Sequence, residues 1–288
     1  MKIDGTKIAA AIYEDLTRRV EKLKKDGITP TLTVILVGDN PASVSYIKQK
    51  KKFGDKIGAK VNVIQLDATI AESDLLTQIA EINKDSSIHG VIIQLPLPAH
   101  INEQTIIAAV NHTKDIDGFL ANSPYKVPIA LAVASLLKEA HSMKRGVSIE
   151  NTEENFQAWL KNQSIVILGK GRTAGMPIYT YFVEQDIHPT VITTSTEHPQ
   201  EKVKNADILI SAVGKSHVVK AEDIKKGAIV IGVGLFRGDN GEIHGDYDEE
   251  TIAPIAQSYT STPGGVGPVN VAMLLSNLVL ATENSYRV

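Results

Sequence analysis

TLTVILVGDNPASVSYIKQKKKFGDKIG, residues Thr31–Gly58, is the stretch from which the rest of the chain is read. Leu32–Val37 is a run of β-branched and aliphatic residues, the pattern of a buried strand. Gly38 and Asp39 then turn the chain. Asn40 fits an N-cap and Pro41 the first helical position, so a helix is expected to start there. On that helix Tyr46 and Lys50 are four apart and share a face, with Ser43 one turn earlier. Lys50, with Lys48, Lys51 and Lys52 around it, fits a catalytic amine whose pKa is depressed by neighbouring cations and partial desolvation. The same lysines also fit a solvated charged face.

Outward from this stretch, residues 7–25 carry Ile8, Ile12, Leu16, Val20 and Leu23 at helical spacing. A strand at Lys60–Leu66, a helix at Ala71–Asn83 and a strand in HGVIIQLPLP (His89–Pro98) follow. The β-α-β-α-β order predicts a parallel sheet with right-handed crossovers and ligands beyond the carboxyl ends of its strands. Gln94 falls at such an end, where a hydrogen-bonded core amide is the other reading. A short helix is expected at Asn102–Val110. In KDIDGF, Asp115, Asp117 and Gly118 fit an Asx-type turn. Residues 128–140 read as a buried helix and His141–Gln163 as a linker.

A second unit opens at Ser164. SIVILGKGRTAGMPIYTYFVEQ is a strand, a glycine-rich turn and a helix, with Gly169, Gly171 and Gly175 spaced to bring backbone amides to a pyrophosphate. Further strands, Thr190–Thr194, Ala206–Gly214 and Ala228–Gly234, make this half a dinucleotide-binding domain. The acid expected after its second strand for an NAD ribose is replaced by Thr194, Ser195 and Thr196. With Lys170 and Arg172 in the glycine loop, these hydroxyls suit a 2′-phosphate, so NADP is expected ahead of NAD. A Pro/Gly loop (Pro263, Gly264, Gly265, Gly267, Pro268) and an apolar helix at Asn270–Ala281 end the chain and point back to the first domain.

The 288 residues are enough for two domains, and a net charge of −3 with 43% hydrophobic residues is an ordinary globular profile. No basic excess points to nucleic acid, and no basic block beside an apolar stretch points to a membrane surface. With no cysteine there is no disulfide, thiolate metal site or cysteine nucleophile. No His/Asp/Glu cluster has ligand spacing, so no metal is implied. MKIDGTKIAAAIYEDL lacks an apolar signal core and no run reaches the ~18 apolar residues of a span, so a cytoplasmic protein is expected.

Taken together, VGDNPASVSYIKQKKKFGDKIGA, GVIIQLPLP, KDIDGF, GKGRTAGMP, ADILISAVGK and TPGGVGPVNVAMLL resemble, in order and over nearly the whole chain, the bifunctional methylenetetrahydrofolate dehydrogenase/methenyltetrahydrofolate cyclohydrolase (FolD) family. The resemblance implies two α/β domains, a catalytic one at 1–140 plus 264–288 and a Rossmann-like one at 141–263, with the last helix returning to the first domain. It implies Lys50 as the central catalytic residue, Tyr46 packing on the folate ring, Gln94 holding the lysine and Asp117 on the pterin. Ser43, Pro263, Gly264, Gly265 and Pro268 would border the folate. Gly169, Lys170, Gly171, Arg172, Thr173 and Gly175, with Thr194–Thr196, would hold the cofactor. A homodimer acting on tetrahydrofolate derivatives is implied as well. A relative that keeps one activity, or a silent nucleotide- or folate-binding regulator, are the alternatives; the four intact residues Tyr46, Lys50, Gln94 and Asp117 argue against the second. The chain departs from the family in a shorter segment after Phe119, in Lys170-Gly171 where Arg-Ser is usual, in Thr193-Thr194-Ser195 where Cys-His-Ser is common, and in Gly232 and Asn270 for an aspartate and a threonine.

Overall fold

A computed structural model describes residues 1–145, 152–238 and 242–286. In chain order the elements are β1 (Lys2–Ile3), α1 (Gly5–Lys25), β2 (Thr31–Val37), α2 (Pro41–Ile57), β3 (Lys60–Leu66), α3 (Glu72–Lys84), β4 (Gly90–Ile93), α4 (Glu103–Ala108) and α5 (Pro128–Arg145). Then come α6 (Glu153–Lys161), β5 (Ile165–Leu168), α7 (Gly175–Val183), β6 (Thr190–Ile192), α8 (Pro199–Lys204), β7 (Ile208–Ser211) and β8 (Ile229–Gly232). The chain closes with β9 (Leu235–Arg237), β10 (Ile243–Gly245), α9 (Glu249–Ile252), β11 (Ser258–Thr260) and α10 (Val266–Tyr286). These elements form two compact α/β units, residues 10–128 with 271–288 and residues 1–9 with 129–270.

The first unit holds a parallel sheet in the order β3-β2-β4. Every residue of β2 is buried, as befits a central parallel strand covered on both faces. Its edge neighbour β3 is buried only at Val61 and otherwise half-buried or exposed. Ile35, Val37, Val91 and Ile93 on the strands pack with Leu75, Ile79 and Ile82 of α3 and Ile106 of α4. The helix start expected at Asn40–Pro41 is present: the Asn40 side chain accepts from the Ala42 and Ser43 amides, and Pro41 opens α2. Strand β4 is shorter than His89–Pro98, because Pro96 and Pro98 have no N–H to continue the ladder; the Gln94 amide still donates to the Ile35 carbonyl.

The second unit is a six-stranded sheet, β1-β11-β8-β7-β5-β6, parallel throughout, with a β9–β10 hairpin beside it in sequence. The two-residue β1 and the short β9, β10 and β11 carry too few residues to show a period, and the sequence reading missed them. Its linker at His141–Gln163 is also corrected. Helix α5 runs on to Arg145, and α6 lies inside the stretch, capped by Thr152 and buried through Phe156 and Leu160; residues 146–151 of that linker lie outside the described residues. Among the described residues one helix, α10, is long and apolar enough to cross a membrane, but most of it is buried inside the structure as a core helix.

The last helix returns to the first unit, as the sequence implied. Arg19 of α1 grips Glu283 of α10 with two hydrogen bonds of 2.9 and 2.7 Å. Asn277, 5% exposed, donates both amide hydrogens to the carbonyls of Ile116 and Lys126, at 2.8 and 2.9 Å. This pins the backbone of the KDIDGF loop to α10. Asn277→Ala leaves both carbonyls without their donor and is expected to cost about 1–3 kcal/mol of stability, read by chemical denaturation. An unchanged midpoint and slope would mean that water replaces the amide.

Candidate active site

Helix α2 begins at the carboxyl end of β2, and its core-facing stripe is Ser43, Ile47, Lys50, Gly54 and Ile57, spaced four, three, four and three. Lys50 is the one cation in that stripe; Lys48, Lys51 and Lys52 lie off it and are exposed. Its ammonium donates to Gln94 Oε1 at 3.0 Å. Gln94 sits just past β4, and its own Nε2 donates to the Leu95 carbonyl at 3.0 Å, which holds Oε1 toward the lysine. Ser43 Oγ donates to the same carbonyl at 3.2 Å. Thus Ser43, Lys50 and Gln94 are tied together around Leu95.

Burial pushes the Lys50 ammonium below the usual lysine range, and the Asp117 carboxylate partly opposes the shift. The flanking lysines, expected to depress it, are not the cause: they stand in water, where like-charge repulsion is screened. The cation–π contacts of α2 belong to Lys52 over Phe53 and Lys56 over Tyr13, not to Lys50 over Tyr46. Tyr46 leaves 44% of its surface exposed. That is an open aromatic face one turn from the lysine.

The loop after α4 supplies the carboxylates, and it treats them differently. Asp115, buried, accepts from the Leu120 amide at 2.9 Å and from the amides of Phe119 and Gly118; its own carbonyl receives Ser123 Oγ. The Asx-type turn is therefore built by Asp115. Asp117 has no hydrogen-bond donor among the described residues. Burial pushes its carboxyl up to about 6, with Lys50 pulling it down and Asp115 pushing it further up. A carboxylate and an amine, each moved toward neutrality by burial and each without a saturating partner, form a site able to bind a polar ligand and pass a proton.

In the second unit, the turn after β5 runs Gly169 to Ala174 and enters α7. A Cβ on Gly175 would overlap the Gly169 carbonyl, so that glycine is required for helix and turn to meet. A Cβ on Gly171 would meet nothing within 4 Å, so the turn's exposed side is open to a ligand. Lys170, Gly171, Arg172 and Thr173 line that exposed side. Beyond β6, Thr193 Oγ1 contacts Ser195 Oγ at 3.0 Å and Thr196 Oγ1 at 3.4 Å, while the Thr193 amide donates to Thr196 Oγ1. Thr194 is exposed beside this hydroxyl turn, whose hub is Thr193. Pro263, Gly264 and Gly265 also lie in this unit, in the turn between β11 and α10, and Pro268 lies in the first turn of α10 itself.

A glycine turn that opens a helix where the strand order of a parallel sheet reverses, on a chain that also carries a half-buried lysine–carboxylate cluster, defines a dinucleotide-dependent α/β enzyme. Residues 3–117 match the model of the tetrahydrofolate dehydrogenase/cyclohydrolase catalytic domain, and residues 145–286 that of the same family's NAD(P)-binding domain. The chain belongs to this family and carries both of its domains. It is 35% identical over 281 residues to the bifunctional protein FolD of Staphylococcus carnosus, covering 98% of this chain and 96% of that one. Among solved structures it is similar to the Campylobacter jejuni bifunctional FolD enzyme, with a TM-score of 0.89, 33% identity and 99% of each chain covered. It is also similar to Trypanosoma brucei FolD solved with NADP cofactor and an inhibitor, with a TM-score of 0.88, 29% identity, and 100% of this chain and 99% of that one covered.

The electrostatics of the cluster give a stability test. A carboxyl at about 6 in the folded chain lies above its ordinary value of 3.8, so folding binds a proton more tightly than the unfolded chain does. The charged form costs stability above about pH 6, and the cost disappears where both states are protonated, near pH 3.8 and below. Asp117→Asn should therefore raise the melting temperature at pH 8 and leave it unchanged near pH 3.5. A gain independent of pH, or none at pH 8, would show that the carboxylate is solvated.

Proposed function

We propose that the chain oxidises 5,10-methylenetetrahydrofolate to the 5,10-methenyl form with NADP and hydrolyses that product to 10-formyltetrahydrofolate. The observation that carries the reading is the Lys50–Gln94 bond beside the unsaturated Asp117 carboxylate. Asp117 accepts paired hydrogen bonds from the amidine edge of the pterin, which an amide in its place could not do with both atoms. Tyr46 offers its exposed face to the flat ring, and Ser43 borders it; Pro263, Gly264, Gly265 and Pro268 are assigned to folate by resemblance to the family. Oxidation of the methylene carbon releases a hydride, for which a bound nicotinamide dinucleotide is the acceptor. The resulting cation is electrophilic at the methenyl carbon. Water adds there and loses one proton to give a hydroxyl adduct; the hydroxyl then gives up its proton as the bond from that carbon to N5 breaks and N5 takes up a proton, leaving the formyl group on N10 with one proton released overall. Lys50, its pKa lowered by burial and its direction fixed by Gln94, is placed to take the proton from water and return it to the leaving nitrogen.

The open side of the glycine turn fits a dinucleotide, with Gly169–Gly175 at the pyrophosphate. The hydroxyls of Thr194, Ser195 and Thr196, with Lys170 and Arg172, suit a 2′-phosphate, where an NAD ribose would call for a carboxylate. A spectrophotometric assay of methenyl formation and decay is expected to show both steps, with kcat/KM higher for NADP than for NAD. Preference for NAD would reverse the cofactor reading, and formation without decay would leave only the dehydrogenase. The exposed apolar side chains Leu235 and Ile243 on the β9–β10 hairpin support the homodimer implied by the family, which light scattering would register as about twice the 31.1 kDa chain.

Lys50→Met keeps the bulk and removes the amine. It should lower methenyl hydrolysis by ~10²–10⁴-fold, while Lys51→Met, on the solvent side of α2, should be nearly silent. Hydrolysis at the parent rate in Lys50→Met would remove the lysine from the mechanism.

A further inference from the structure

The residues that bring a dinucleotide to the second unit are read above from the turns after β5 and β6. The sheet order points to a further wall. From β5 the chain moves to β6 on one side and then crosses to β7 on the other, so the order reverses at β5 and a crevice opens between the carboxyl ends of β5 and β7. The two loops meet there: a Cβ on Gly169 would come within 2.7 Å of the Ala212 carbonyl and 3.6 Å of the Val213 side chain. The loop Ala212–Ser216 therefore borders the crevice.

That loop is held by one side chain, Asp246, which lies some 30 residues further on in the turn after β10 and is 0% exposed. Asp246 Oδ2 accepts from Ser211 Oγ at 2.5 Å and from the Val213 amide at 2.9 Å. Oδ1 accepts from the amides of Gly214 and Lys215 at 2.7 and 3.0 Å. Three successive amides pointing into one concavity, with Gly214 at a φ of +72°, form a nest of the kind that binds anions. Here the anion is the chain's own carboxylate. Among the described residues no cation pairs with it, so these four donors carry its charge. The nest is thereby filled, and the pyrophosphate is left to the Gly169–Gly175 turn.

We propose that Asp246 is a positioning residue for cofactor binding: its buried carboxylate fixes the loop after β7 as the second wall of the dinucleotide crevice. This rests on the cofactor reading given above. Asp246→Asn keeps the shape but turns one acceptor into a donor. Whichever way the amide lies, its NH₂ then faces at least one backbone N–H, and the loop loses its single arrangement. Ser211→Ala is the milder companion, removing one donor from the carboxylate and none from the loop amides.

The experiment is titration of the free enzyme with NADPH, followed by the fluorescence of the bound nucleotide, with each variant first checked by thermal melting. If the parent does not bind NADPH, the cofactor reading itself fails. With a binding parent, Asp246→Asn is expected to raise the Kd at least tenfold, and to raise the KM for the cofactor more than it lowers kcat at saturation. Ser211→Ala is expected to raise the Kd two- to fivefold. A folded Asp246→Asn that binds NADPH as the parent does overturns the proposal, as does a kcat loss with Kd unchanged. Should Asp246→Asn fail to fold, Ser211→Ala decides, and parent affinity in that variant overturns it.

Discussion

Every pairing within the two main sheets is parallel, and parallel strands cannot be joined by tight hairpins. Each connection must leave at a carboxyl end and return by a crossover, which gathers one end of each sheet's loops together. In the first unit this brings the start of α2, the Gln94 position after β4 and the KDIDGF loop into one place. In the second it brings together the glycine turn, the hydroxyl turn and the loop held by Asp246. The chemistry-bearing residues are far apart in sequence and close in space for this reason.

The fold handles its buried charges in two ways. Asp115 and Asp246 are saturated by backbone N–H groups and hydroxyls, and each fixes a loop. Asp117 and Lys50, half-buried, lack such saturation, and desolvation displaces both toward neutrality. Saturated carboxylates hold the scaffold. The unsaturated pair is destabilising where it stands, and a folded chain retains such a cost where a ligand supplies the missing partners.

Much of the first unit was legible because its elements are long and their signals agree. Asn40 and Pro41 mark the start of α2, Thr31–Val37 is β-branched and aliphatic throughout, and the helices show their period. The segment 141–163 was misread because α6 buries few side chains across nine residues, too weak a pattern to stand out from a polar linker. The reason for the lowered Lys50 pKa was misread too. Its sequence neighbours are lysines, but its neighbours in space are a glutamine and an aspartate 44 and 67 residues away in the chain.

By itself the sequence determined the α/β class with two units and the glycine-rich turn after β5, and it singled out Tyr46, Lys50, Gln94 and Asp117 as candidates. Local rules suffice for these: strand and helix periods, caps, glycine spacing and ordered motifs. Only the tertiary structure decided which of two aspartates builds the turn and which stays open, which of four lysines turns from water toward a glutamine, and that Asp246 serves a loop some 30 residues earlier in the chain. Each of these is a question of desolvation and of where hydrogen-bond partners lie in space. Sequence spacing does not encode either one, because burial and long-range pairing exist only once the sheets have closed over them.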